Sequence, residues 1–471
     1  MGPIRLTSGV LAAVIASSAF AQYEPDTIVV RTQKVITGTG EEIEGASIII
    51  EDGEIILVGP ALEAPAGARI IDATNEVVMP GIIVPATRFG LPQPQRTGLN
   101  GDISVAGEIY FDSLDPTLWL ENGVTAVGYR PSGSGIRGIG AAARVAHPDG
   151  DYLLNDDAYL SVTFNSQTRD KDTLRSALAS AQAAIDAEEE ARTAWEESQA
   201  EKSGEGESPA EGEDESGDDE PKPEGEGLPD PQPTPDEGGD GEPAEGEDAE
   251  VEEESNEFVP PEIDPPLRPV VDLVRGEDGK KALVVVGNAS TVVHLEQVLD
   301  DYDDLATPLL LGSVDRLPSL AGGGGGFFGG TFGSNLSRVL DLLASFEETI
   351  VVPPIMSRLT TTQIQLNVPA ELATRGVTLA FRPESDSRGS IENYRSGIAT
   401  LMKQGLDRET AIKGLTSVPA ALLGIDDIVG SIEKGKEADL VFFDGDPLDP
   451  TSRVTRVMIE GSFEYDRDGE D

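Results

Sequence analysis

Runs of apolar residues separated by turn-forming residues open the chain. Between residues 27 and 79 the short strand patterns form two pairs, Ser47–Glu51 with Glu54–Val58 and Arg69–Asp72 with Glu76–Met79. Asp52-Gly53 separates the first pair and predicts a tight hairpin, because both turn residues accept a positive φ. Ala73–Asn75 predicts a turn within the second pair. Together these residues predict a small β-sheet unit.

The pattern changes after Gly81 to buried strands that alternate with helical segments. The candidate strands are Gly81–Ala86, Val124–Tyr129, Tyr159–Phe164, Leu283–Gly287, Pro308–Gly312, Thr349–Pro353 and Val377–Phe381, with Ala141–Ala146 as a further candidate. Continuous β-branched and aliphatic runs are typical of strands buried on both faces of a parallel sheet. Arg408–Leu415 is one of the segments with the residue spacing of a helix. Asp407 is its predicted N-cap, and Gly424 is predicted to stop the helical region further along the chain. This alternation predicts an α/β barrel or a doubly wound sheet.

Two segments differ from this pattern. The N-terminal residues combine a basic Arg5, the apolar run Val10–Ala16 and small residues around Ala21. They predict a secretory signal peptide cleaved near Ala21, hence a secreted or periplasmic protein with no transmembrane segment in the mature chain. Residues 201 to 262 contain 26 acidic residues and two lysines with almost no large apolar side chains. This composition predicts a disordered acidic insertion over about 188–265.

The overall charge limits the possible partners. The chain has 471 residues and a net charge of -53. Nucleic acid is disfavoured as a partner, because phosphate binding needs clustered lysines and arginines. Cations and basic proteins are compatible with the charge. The absence of cysteine excludes disulfides and thiolate metal sites.

Motifs at both ends of the chain resemble those of one known family. Pro80–Gly90 is similar to the first barrel strand of the amidohydrolase superfamily, where Pro-Gly and two aliphatic residues precede Asp and a His-x-His pair. Leu415–Gly424 resembles the family's T-x-N-P-A-x-x-L-G helix, and Gly430–Phe442 resembles its G-S-I-x-x-G-K-x-A-D-L-V segment. Asp444–Leu448 is similar to its D-G-D-P-L motif. The imidazolonepropionase-like subgroup shows the greatest similarity.

The resemblance implies a fold as well as a reaction. The implied fold is a TIM-like (β/α)8 barrel with a small composite β-sandwich made from the N- and C-terminal segments. The expected boundaries are 1–21 for the signal peptide, 24–80 and 425–466 for the two parts of the sandwich, and 81–420 for the barrel with its insertion. The family's reaction is metal-assisted hydrolysis.

The metal ligands of the family are missing at the matching positions. Val84, Ala86 and Arg88 stand where the family has its strand-one aspartate and two histidines. The two histidines of the chain, His147 and His294, match no ligand position. Because a hydrolytic zinc needs about three protein ligands, we predict that the metal site is lost and that no cofactor is bound.

Charged residues follow several candidate strands. The arginines in such positions are Arg88, Arg130, Arg316, Arg358 and Arg382. Since the carboxyl ends of barrel strands form the active face, we predict an anion-binding mouth at the former metal site. The alternative is that each arginine pairs with a nearby acidic residue as scaffold. Glu384 and Asp386 are the candidate remnants of the strand-eight aspartate and a candidate acid/base pair.

The favoured hypothesis is a secreted amidohydrolase-family protein that has lost its metal site and has a ligand-binding or partner-stabilising role. One alternative is a hydrolase of carbon–nitrogen (non-peptide) bonds with an atypical or metal-free site. Another is an extracellular module that binds cations or proteins through the acidic insertion. The expected partners are a small anionic ligand and a homologous amidohydrolase subunit or a second copy of the chain.

Overall fold

A computed structural model describes residues 26–92, 94, 96–111, 115–147, 150–165, 167–204, 257–302, 304–312, 335–359, 362 and 364–469. The predicted signal peptide, Arg316 and most of the acidic insertion lie outside these residues. The chain divides into two compact units. The larger contains Met1–Gln182 and Ile263–Asp471, and the smaller contains Ala183–Glu262. Within the smaller unit, the rings of Trp195 and Phe258 lie 5.9 Å apart. Among the described residues, no helix has the length and apolar character to cross a membrane.

The described residues form nineteen strands and ten α-helices. The strands are β1 (Thr27–Ile36), β2 (Glu42–Glu44), β3 (Ala46–Glu51), β4 (Glu54–Pro60), β5 (Arg69–Pro80), β6 (Ile82–Thr87), β7 (Thr97–Leu99), β8 (Val124–Tyr129), β9 (Ser134–Arg144), β10 (Leu153–Phe164), β11 (Ala282–Val286), β12 (Leu309–Leu311), β13 (Ile350–Val352), β14 (Ser357–Arg358), β15 (Gln365–Leu366), β16 (Leu379–Phe381), β17 (Leu440–Phe443), β18 (Val454–Ile459) and β19 (Ser462–Asp466). The helices are α1 (Thr117–Leu120), α2 (Thr168–Gly204), α3 (Arg268–Arg275), α4 (Ala289–Leu299), α5 (Leu340–Ser345), α6 (Val368–Ala373), α7 (Arg388–Glu392), α8 (Tyr394–Lys403), α9 (Arg408–Lys413) and α10 (Ser417–Leu423).

One sheet is built from both ends of the larger unit. Its strand order is β19-β18-β17-β5-β1-β3-β4, with β2 paired to β1. The predicted hairpin is confirmed, because β3 and β4 pair antiparallel around Asp52 (φ 50) and Gly53 (φ 85). The predicted turn at Ala73–Asn75 is wrong. These residues lie within the continuous strand β5, whose register shifts between Ala73 and Val77, where the Thr32 hydroxyl donates to the Glu76 carbonyl at 2.6 Å.

The second sheet is the barrel, with the strand order β16-β13-β12-β11-β10-β9-β8-β6. A segment before α10 bridges its two ends: the carbonyl of Gly414 accepts from Phe381 N at 2.8 Å, and that of Leu415 accepts from Ile83 N at 2.9 Å. The buried side chains of Ile83, Leu283, Leu310, Val351 and Ala380 form its core. The predicted class, a TIM-like α/β barrel with a small composite β domain, is confirmed.

Strand β9 departs from the parallel arrangement. It pairs antiparallel with both β8 and β10, and it contains most of the extra strand predicted at Ala141–Ala146. Gly138 has a φ of 121, and a Cβ there would lie 2.2 Å from the Ile103 carbonyl oxygen. Gly138 therefore allows the neighbouring backbone to approach. Because β9 runs in reverse, its N-terminal half lies where β8 and β10 end.

The C-terminal motifs join the two sheets. Asp407 caps α9 by accepting from Thr410 N at 2.8 Å, and Gly424 ends α10 with a φ of 65, as the sequence predicts. The carbonyl of Asp439 accepts from Gly81 N at 2.9 Å, just before the first barrel strand. The tail therefore fixes the start of β6 against the composite sheet.

Candidate functional site

Asp386 connects the last barrel strand to the first. It follows β16, and its Oδ1 atom accepts from the Thr87 hydroxyl at 2.8 Å and from Arg88 N at 3.0 Å. Its Oδ2 atom lies 3.8 Å from Arg130 Nη2. The strand ends that carry Thr87, Arg130 and Asp386 therefore meet at one mouth of the barrel. Thr87 was not singled out from the sequence, because it lies between the two compared positions, Ala86 and Arg88.

Arg382 lies under the loop that carries Asp386. Its Nη1 atom donates to the carbonyls of Pro383 at 2.9 Å and Glu384 at 3.3 Å. Its Nη2 atom donates to the carbonyl of Leu311 at 3.2 Å, so it also ties β12 to β16. Part of its role is therefore structural. Its Nε atom is buried without a hydrogen-bond partner among the described residues.

Arg137 is the deepest cation of the mouth, and sequence reasoning missed it. It lies on β9 with 2% of its surface exposed, and its Nη2 atom donates to the Ser161 hydroxyl at 2.6 Å. The Nε atom of Arg137 is buried with no hydrogen-bond partner in the described part of the chain. The Tyr159 hydroxyl completes this floor and donates over 3.4 Å to the carbonyls of Pro85 and Tyr129.

Arg88, Arg130, Arg137 and Arg382, here called the arginine cluster, act on one another electrostatically. Burial, together with the charges of Arg130 and Arg88, lowers the pKa of Arg137 to about 9. Burial, together with the charge of Arg130, lowers the pKa of Arg382 to about 10. The pKa of Arg130 is also lowered, by burial first and by Arg88, while Asp386 opposes the change. All three remain cations at pH 7, so like charges are held together out of water.

The other predicted site residues have different surroundings. Arg358 lies in the β14–β15 hairpin, where its Nε donates to the Thr362 carbonyl at 2.6 Å, and no described contact joins it to the arginine cluster. Glu384 contributes its carbonyl to Arg382 and lines an adjacent cleft of about 520 Å³ with Ser387 and Tyr394. Of the two candidate carboxylates, Asp386 is therefore the one held at the end of β6.

Comparisons with known proteins agree with this architecture. The model of the amidohydrolase family matches residues 367–463. An amidohydrolase from Thermotoga maritima has the same fold, with a TM-score of 0.66 at 19% identity over 93% of this chain and 100% of that one. The chain is also similar to the amidohydrolase tasK of Hapsidospora irregularis, with 36% identity over 62 residues. That match covers 13% of this chain and 6% of the relative's length.

The C-terminal part of the chain therefore matches the amidohydrolase family, and the chain has the fold of the Thermotoga maritima amidohydrolase. The matched region carries Arg382 and Asp386 at the mouth, and its last part joins the two sheets. Within it, the buried Asp439 carboxyl accepts from Glu460 N at 3.0 Å and faces the Thr125 hydroxyl. Arg144, at the opposite end of β9 from the mouth, pairs with Glu437. We call this set of residues the base network.

The histidines of this chain lie away from the strand-one positions. His147 pairs through Nε2 with Glu460, while its Nδ1 accepts from Asp151 N at 3.2 Å. His294, on α4, hydrogen-bonds through Nδ1 with Gln297 at 3.3 Å. Within the described ranges, no group of three or more histidine or acidic side chains has the spacing to hold a metal ion.

The residues of the mouth do not fit the metal of the superfamily. Ala86 offers no donor atom, and Arg88, Arg130 and Arg137 are cations that repel a divalent ion. Asp386 Oδ1 already accepts two hydrogen bonds. Zinc requires about three nitrogen, sulfur or oxygen ligands, whereas the described mouth offers guanidinium donors. Such donors suit carboxylate and phosphate oxygens.

Proposed function

We propose that this amidohydrolase-fold protein binds a small anion at the barrel mouth and has lost the metal-dependent hydrolysis of its superfamily. The supporting observation is the arginine cluster, in which Arg88 stands at a strand-one ligand position of the family and Arg130, Arg137 and Arg382 lie at the same mouth. Buried guanidiniums facing one another are unfavourable unless an anion lies between them. A bound carboxylate or phosphate would accept their hydrogen bonds bidentately.

Asp386 has a positioning role in this proposal. Its carboxylate is held by Thr87 and by the backbone of Arg88, and it approaches Arg130 over 3.8 Å. It therefore fixes the end of β6 relative to the Arg130 guanidinium. Arg130 keeps a buried Nε atom that is not hydrogen-bonded within the described ranges. That atom can donate to a ligand without breaking the contact with Asp386.

The proposal includes a location and a possible partner. The N-terminal signature supports export, so the ligand would be met outside the cytoplasm. A second copy of the chain or a homologous amidohydrolase subunit is the partner that a non-hydrolytic member would stabilise. Native mass spectrometry of the purified protein measures this association directly.

Two measurements test the proposed function. Metal analysis of the purified chain should give substoichiometric zinc, manganese and iron. A titration with succinate and inorganic phosphate should raise the melting temperature of the wild type and have little effect on Arg130→Gln. Arg358→Gln, outside the arginine cluster, is the matched control and should respond like the wild type. A stoichiometric metal that is lost together with hydrolysis of a carbon–nitrogen bond on chelation would favour the hydrolase alternative instead.

A further inference from the structure

The balance of positive and negative side chains at the mouth indicates how many negative charges the ligand carries, which the presence of arginine alone does not. Arg130 and Arg382 share the electrostatic influence of Asp386, and the Glu384 carboxylate also acts on Arg382. Arg137 is different. The charged groups that act on it are Arg130 and Arg88, and its one described hydrogen bond goes to the neutral Ser161 hydroxyl.

A buried cation of this kind is costly without an anion. Arg137 is 2% exposed, so its charge is only weakly solvated by water. Tyr159, the nearby titratable hydroxyl, stays neutral because burial raises its pKa. The inner end of the mouth therefore needs one negative charge from outside the described side chains.

The outer part of the mouth needs another negative charge. The contact between Arg130 Nη2 and Asp386 Oδ2 is 3.8 Å, which is too long for a hydrogen bond, and Asp386 has 29% of its side chain exposed. Asp386 also accepts from Thr87 and Arg88, and its single charge is shared between Arg130 and Arg382. Arg137 and Arg130 each retain a guanidinium Nε atom that has no hydrogen-bond partner among the described residues.

We infer that the ligand is a compact dianion, a small dicarboxylate or a phosphate, with one charge held by Arg137 at the floor and the other by Arg130 at the rim. This inference rests on the proposed function and names the ligand class for the same site. The bidentate geometry of guanidinium suits both carboxylate and phosphate oxygens. Arg137 acts as the specificity-determining residue, because it recognises the second charge that a monoanion lacks.

The test is a calorimetric titration of the full chain with succinate, inorganic phosphate and acetate. The dianions should bind at least about tenfold more tightly than acetate, the effect of one additional charge-assisted hydrogen-bonded pair. Comparing succinate with phosphate identifies the source of the charge. Arg137→Gln should lose about tenfold or more in dianion affinity while its acetate affinity changes little. Arg358→Gln should match the wild type for all three probes.

Arg137→Lys keeps the charge and protects the test against misfolding of the glutamine variant. It should retain part of the preference for dianions but lose bidentate geometry. Equal affinity for acetate and the dianions, or unchanged dianion binding by folded Arg137→Gln, would overturn the inference while leaving an anion site in place. Absence of binding by all three probes would overturn the proposed function itself.

Discussion

Arg137 and Arg144 lie on the same strand, β9, and both are buried, with 2% and 6% of their surfaces exposed. Arg144 pairs with the carboxylate of Glu437 in the base network. Arg137 meets a serine hydroxyl and other arginines at the mouth. Among the described residues, one strand thus presents a compensated cation at one end and an uncompensated cation at the other. Compensation by a neighbouring carboxylate is typical of a structural role, whereas the proposed anion would supply it at the mouth.

The largest expected effect comes from breaking the compensated pair. Arg144→Gln should lower the free energy of unfolding by about 3 kcal/mol, because Glu437 is then left without its partner and Asp439 loses a favourable charge. Urea denaturation of the full chain measures the change. The double variant with Glu437→Gln should recover part of the loss. Equal stability of Arg144→Gln and the wild type would remove the contrast between the two ends of β9.

Asp439 should make the base network sensitive to pH. Burial raises the pKa of Asp439 from its ordinary 3.8 to about 6, so the folded protein binds more protons than the unfolded chain between these values. The contribution of Asp439 to stability therefore falls as the pH rises through this window and stays low above it. Asp439→Asn should raise the free energy of unfolding at pH 7.5 by about 2 kcal/mol.

The same substitution should have a much smaller effect at pH 4, where the wild-type carboxyl is already largely protonated when folded. Unfolding curves of the wild type and Asp439→Asn at the two pH values measure the difference. An Asn variant that loses the same stability at both values would show that the hydrogen bond from Glu460 N to Asp439 Oδ1 outweighs the cost of burying the charge.

At the mouth, removing the arginine should change the free energy of unfolding in the direction opposite to that expected for Arg144→Gln. Arg137→Gln should keep or raise the stability of the ligand-free protein, by about 1 kcal/mol, since it removes a buried charge and leaves an amide that can hydrogen-bond Ser161. Urea denaturation without added anions measures this effect against that of Arg144→Gln. A loss as large as that of Arg144→Gln would mean that Arg137 is compensated within the protein.

The sequence predicts the strands, turns and C-terminal motifs of the fold better than it predicts the residues of the site. The start of the first barrel strand after Gly81, the Asp52-Gly53 hairpin and the C-terminal motifs act through local chemistry that neighbouring residues specify, and each lies where the pattern indicates. Arg137 could not be found by searching the residues after candidate strands. It reaches the mouth from the start of an antiparallel strand, and pairing direction is not encoded by hydrophobic runs. An arginine in the otherwise small and apolar segment from Gly135 to Ala143 is the signal that was available.

The smallest effect is expected at Arg358, which resembles the cluster residues in sequence position but not in contacts. Its Nε donates to the carbonyl of Thr362 within a short hairpin, so Arg358→Gln should change the free energy of unfolding by about 0.5 kcal/mol or less. Binding of succinate and phosphate should stay within twofold of the wild type, about the scatter expected for a residue that does not touch the ligand. Denaturation and calorimetry of the same preparation measure both values. A loss of anion binding in this variant would extend the mouth to the β14–β15 hairpin and weaken the assignment of recognition to the two guanidiniums of Arg130 and Arg137.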